Sequence, residues 1–175
     1  MKRRVVVTGI GALTPIGNNV NDTWKGILNH QCGIDLIQSF DTSNMKVKVA
    51  GELKNFEATE YLDKKDVRKM DKFIQYGLIA AKEAIKDSKL EIDSINHDRF
   101  GVVVSSGIGG LGSIEENHQR GLKKGFDRVS PYFIPMTIVN LAAGQIAIAF
   151  KAQGLATCPV TACALSLIHI SEPTR

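Results

Sequence analysis

The chain has 175 residues, 43% of them hydrophobic, with 23% charged side chains and a formal net charge of +4. That is enough for one domain with a sizeable core, and no apolar run reaches the length of a membrane span. The three cysteines are an odd number without metal-ligand spacing, so a reducing cytoplasm is expected and neither a disulfide framework nor a metal site is. The modest positive charge suggests an acidic partner or simply a solvated basic surface.

In chain order, the elements alternate as in an α/β protein. Residues 4–8 form a short β-branched run closed by Gly9 and Gly11, which predicts a buried first strand. TPIGNN (14–19) is turn chemistry, and Asn21 or Asp22 can cap a helix carrying Trp24, Ile27 and Leu28 on one face. Residues 47–53 alternate like a strand with one wet face. Residues 71–89 make the strongest helix, with Phe73, Ile74, Leu78, Ala81, Ala84 and Ile85 on one stripe. A buried strand is predicted at 100–106. Helices follow at 113–123 and 137–150, the second rich in small residues (Ala142, Ala143, Gly144, Ala147). A last strand covers 155–162. The chain shows no internal repeat or domain linker.

Two glycine-rich segments invite a nucleotide-binding reading, and both fall short of it. After Gly9 and Gly11, Thr14 stands at the third glycine position and Pro15 where a helix should open. SGIGGLG (106–112) lacks the lysine of a phosphate loop. Glycine as tight-turn material explains them better.

TCPVTACA (157–164) carries the clearest chemical signal. An apolar run leads into Cys163, which small residues flank, as when a strand delivers a nucleophile onto a sharp turn. A following helix would place the thiol at a helix N-terminus and favour the thiolate. Cys158, in an apolar strand neighbourhood, reads as structural, and Cys32 is undetermined. Residues 165–175 lack an amphipathic period and contain Pro173. They resemble translated read-through of a sequencing-library adapter and are set apart as a non-native tail, so His169 is no catalytic candidate.

Five segments in one register carry a family resemblance: VVVTGIG (5–11), KKDVRKMDKF (64–73), GIGG (107–110), SPYF (130–133) and VTACA (160–164). Together they resemble the amino-terminal part of a β-ketoacyl-acyl-carrier-protein synthase, the condensing enzyme of type II fatty acid synthesis. The resemblance implies a thiolase fold, layered α-β-α-β-α, of which residues 1–164 supply most of the first half.

By that resemblance, Cys163 takes an acyl group from acyl carrier protein and contributes one oxyanion-hole N–H. Ile108 and Phe133 line the acyl tunnel, with Phe133 reaching in from the partner subunit of a homodimer. Lys65, Arg68 and Lys69 form the carrier-protein docking patch, which Arg128 extends across the dimer. No cofactor or metal is implied, because substrates arrive on the carrier's phosphopantetheine arm; nucleic-acid and membrane partners are not expected either. The resemblance also requires two histidines and a lysine from a later half for malonyl decarboxylation. His30, His97 and His118 match none of these positions, so the 175 residues alone are expected to be inactive. A thiolase-like protein, a chain-length-factor-like subunit and a nucleotide-binding α/β module stay open as alternatives, although the docking patch speaks against the first, Cys163 against the second and the incomplete glycine motifs against the third.

Overall fold

A computed structural model describes residues 4–164, and the tail set apart at 165–175 lies outside them. Its elements are α1 (Val20–Leu28), β1 (Asp35–Leu36), β2 (Val49–Ala50), α2 (Lys64–Val67), α3 (Lys72–Ser88), β3 (Val102–Val103), α4 (Leu111–Lys124), α5 (Phe133–Thr137), α6 (Leu141–Ala149) and β4 (Ala156–Thr157). By contacts the chain divides into two units, Met1–Glu57 with Ile79–Leu90, and Ala58–Leu78 with Glu91–Arg175. No helix of the described residues is long and apolar enough to cross a membrane.

In the first unit, the predicted strand at 4–8 is absent. Val5 and Val7 are 89% and 82% exposed, and no strand among the described residues pairs with them. The backbone just after them finds side-chain partners instead of a ladder. The Ile10 N–H donates to Asp87 at 3.0 Å, and the Ala12 N–H donates to Glu83 at 2.9 Å. Gly9 presses so closely on α3 that a β-carbon there would run into the Ala84 carbonyl oxygen. The second oxygen of Glu83 accepts from the Val20 N–H at 2.9 Å, so one carboxylate ties the glycine segment to the start of α1. These bonds satisfy amides that a sheet would otherwise have to pair.

The cap of α1 is Asn19, two residues before the earlier of the predicted positions. Its extended backbone lets the side chain accept from the Asp22 N–H at 2.8 Å. The shift follows from the tight turn at Thr14–Gly17, whose reciprocal backbone bonds release the chain into the helix sooner. Trp24, Ile27 and Leu28 share a face as predicted, but that face is exposed, and the helix buries Gly26 against Ile16. The strand predicted at 47–53 shortens to β2, antiparallel to β1 with Asp35 opposite Ala50.

The second unit holds a core of Ala58, Leu62, Met70, Ile74, Leu78, Val102, Ala142, Ala143 and Ile146, with Ile74 only 1% exposed. The apolar stripe read from the sequence for α3 supplies the centre of this core. β3 and β4 are parallel, Val102 opposite Ala156 and Val103 opposite Thr157, with α4 to α6 in the crossover. A parallel pair requires such a connection, which is the α/β signature expected. Both strands are shorter than predicted: the ladder runs only from the Val102 N–H on Leu155 to the Val104 N–H on Thr157. The helix predicted at 137–150 forms as α6, starting late at Leu141. Thr137 gives its carbonyl to the Gly110 N–H at 3.0 Å, and Ile138 turns extended, so α5 ends there and α6 starts anew.

Candidate active site

Cys163 lies beyond β4 on a single 3₁₀ turn, Ala162–Ala164, closed by the Ala164 N–H donating to Thr161 at 3.1 Å. Ala162 adopts φ +47°, a left-handed conformation that costs a residue with a β-carbon free energy and is concentrated at functional turns. Alanine carries the smallest side chain that pays this cost. The Cys163 thiol is free and exposed, Cys158 is free and half-buried, and Cys32 is free and exposed in the other unit. The helix expected after Cys163 falls outside the described residues.

Ile108 stands 68% exposed on the loop joining β3 to α4. The loop is pinned by the Gly109 N–H on the Ser106 hydroxyl at 3.0 Å, and Gly109 itself has φ +86°. Gly110 must be glycine: a β-carbon would strike the Met136 carbonyl oxygen and stand 3.1 Å from the Asp71 carboxyl carbon. Phe133 opens α5, half-buried, its N–H donating to Ser130 at 2.9 Å.

Lys65, Arg68 and Lys69 are exposed on α2 and the turn after it, and Arg128 is exposed on a 3₁₀ turn at Phe126–Arg128. Lys69 Nζ lies 5.6 Å from the Tyr132 ring centroid, a cation–π contact that brings the basic segment onto the residue beside Phe133. The structure therefore joins the basic segment, the Ile108 loop and α5. No hydrogen bond or ion pair among the described residues links Cys163 to them. No group of three or more His, Cys, Asp or Glu side chains among the described residues is placed to hold a metal ion.

Sequence reasoning missed the polar residues that hold this region. Gln75, itself buried, donates to the carbonyls of Val67 and Met70 at 3.1 and 2.8 Å and so fixes the basic segment to α3. Asp71 and Ser113 meet across 42 positions at 2.6 Å. Asp71 could have been read as a cap from its place before a helix. Its distant partner leaves no local signal.

A parallel strand pair with a helical crossover thus leads to an exposed thiol on a turn that holds one residue at positive φ. The chain belongs to the β-ketoacyl synthase family: the description "Beta-ketoacyl synthase, N-terminal domain" matches residues 2–172. It is 48% identical over 174 residues to 3-oxoacyl-(acyl-carrier-protein) synthase 2 of Vibrio cholerae, covering 99% of this chain and 42% of that protein. Among solved structures, the ishigamide ketosynthase/chain length factor aligns with a TM-score of 0.80 at 25% identity, over 92% of this chain and 40% of its own. A type II PKS acyl-carrier protein in complex with its ketosynthase bound to the hexaketide aligns at TM-score 0.71 and 25% identity, over 90% and 41%. The fold is thus that of the thiolase-type ketosynthases, represented in part, its strands present here as short pairs. The chain spans less than half the length of these relatives.

Proposed function

We propose that this chain forms the amino-terminal part of an elongating condensing enzyme of type II fatty acid synthesis, with Cys163 as its nucleophile. The Cys163 thiolate attacks the thioester carbonyl of an acyl carrier protein. A new thioester forms on Sγ, and the carrier's phosphopantetheine thiol leaves. The backbone N–H of Cys163 faces the oxyanion of the tetrahedral intermediate. Malonyl carrier protein then loses CO2, and its carbanion attacks the acyl-cysteine carbonyl. The product is a 3-oxoacyl chain two carbons longer on the second carrier, and the Cys163 thiolate is regenerated. No added cofactor enters this balance.

One observation carries the reading: an exposed thiol on the strained turn after β4, in a chain 48% identical to a 3-oxoacyl synthase. A ketosynthase solved in complex with an acyl-carrier protein supports a carrier protein as partner, and the exposed Lys65, Arg68 and Lys69, with Arg128 extending them, are the proposed docking patch. Ile108 and Phe133 line the acyl channel, Phe133 from across a homodimer interface, and the enzyme works in the cytoplasm. The test uses a full-length synthase carrying this chain as its amino-terminal part. Acyl and malonyl carrier proteins should yield 3-oxoacyl product with the wild type and none with Cys163→Ala. Equal product from both would refute the assignment.

A further inference from the structure

Beyond the thiol and the basic patch, one polar cluster, half-buried at Asp71 and buried at Ser113 and Asn117, joins the segments that the proposed function uses around the acyl channel. Asp71 precedes α3, and one of its oxygens accepts from the Phe73 N–H at 3.2 Å, capping that helix. The other oxygen accepts from the Ser113 N–H at 3.1 Å and from the Ser113 hydroxyl at 2.6 Å. Ser113, 5% exposed, sits in the first turn of α4. One carboxylate therefore caps two helices, and it does so with two different segments behind them: the basic segment precedes α3, and the Ile108 loop precedes α4.

The cluster continues inward. Asn117, 3% exposed, donates from its amide to the Ser113 carbonyl at 2.8 Å and accepts from the Ser130 N–H at 2.9 Å. Ser130 in turn begins the segment that ends at Phe133. A carboxylate accepting from N–H and O–H donors makes bonds about twice as strong as neutral ones. If it is removed, the helix-start amides at Phe73 and Ser113 lose their acceptor, and a buried orphan donor is costly. Ile108, by contrast, is largely exposed and brings little packing of its own. Its position is set by the bonds its loop makes to the Ser106 hydroxyl and the Thr137 carbonyl, together with the point where α4 begins.

We propose that Asp71 is a positioning residue that fixes the start of α4, sets the stance of the Ile108 loop, and thereby governs discrimination between acyl primers of different length. This rests on the reading of Ile108 as a channel residue given above. The test compares wild type, Asp71→Asn and Ser113→Ala in the full-length synthase, using short and long acyl carrier proteins as primers. Asp71→Asn should change the long-to-short ratio of kcat/KM by about fivefold, the weight of one ordinary hydrogen bond. Ser113→Ala, which keeps the backbone bond to Asp71, should move the ratio the same way by less. The KM for malonyl carrier protein should stay unchanged.

A uniform loss for all primers with a lower Tm would make Asp71 a plain helix cap and overturn the proposal. Hydrogen exchange over residues 107–113 separates this from the assignment of Cys163. Faster exchange confined to that loop in Asp71→Asn supports the clamp even in a protein without condensing activity, and unchanged exchange there overturns it.

Discussion

The Cys163 turn and the Ile108 loop are held in opposite ways. The turn is placed by the end of a short parallel strand and closed by one backbone bond, leaving the thiol exposed. The loop is gripped from several sides, by the Ser106 hydroxyl, the Thr137 carbonyl and the Asp71–Ser113 pair. Under the proposed function, an acceptor of bulky acyl groups needs an unobstructed sulfur, whereas a residue that shapes a channel must keep a fixed position. On that reading, strain at Ala162 and polar clamping at Asp71 answer two different demands.

Removing the thiol should break the comparison on the side of the turn. Cys163→Ala in the full-length synthase is expected to lower acyl transfer by about 10⁴-fold or more, as loss of a covalent nucleophile does. Steady-state transfer rates check this, and a loss of less than tenfold would remove Cys163 from the chemistry. On the other side, reversing Lys65, Arg68 and Lys69 to glutamate should cut carrier-protein kcat/KM by about tenfold or more at low ionic strength and flatten its salt dependence. Unchanged kinetics at low salt would reduce the patch to a solvated face.

The strain at the turn can be sharpened directly. Ala162→Val places a β-branched residue at φ +47° and is expected to cost about 1–3 kcal/mol in stability. Ala162→Gly should relieve strain there. Denaturant midpoints for the pair, compared with the wild type, check the order.

The smallest effect concerns acid stability. Hydrogen bonding from Lys151 holds the Asp93 carboxyl below its ordinary value of 3.8. A lowered native pKa gives stability that is present above 3.8 and is lost as pH falls through the native value. The pair is exposed, so the effect is slight. Asp93→Asn should flatten that part of the acid-unfolding profile while leaving neutral-pH stability almost unchanged.

What could be read from the sequence followed the range of the forces involved. α3 was legible because its bonds are local and its apolar stripe repeats every turn, and Ile74 and Leu78 are buried as that stripe requires. The strand at 4–8 was not, because β-branched residues make a strand only where a partner ladder exists, and Gly9, Asp87 and Glu83 provide another arrangement. Likewise the late start of the helix predicted at 137–150 carries no local mark, since the Thr137 carbonyl is taken by the Gly110 N–H and Ile138 is extended. At the site, Cys163, Ile108 and the basic segment stood in recognisable motifs. Asp71, Gln75, Ser113 and Asn117 act through partners far along the chain or through backbone carbonyls, so their roles emerge only in three dimensions.

The most direct test is to incubate the full-length synthase with an acyl carrier protein alone, quench in acid, and map the modified peptides by mass spectrometry. We expect one acyl group per chain, as a hydroxylamine-labile thioester on Cys163, with Cys32 and Cys158 unmodified. Acyl groups spread over all three cysteines, or none on Cys163, would contradict the identification of this turn as the acyl acceptor.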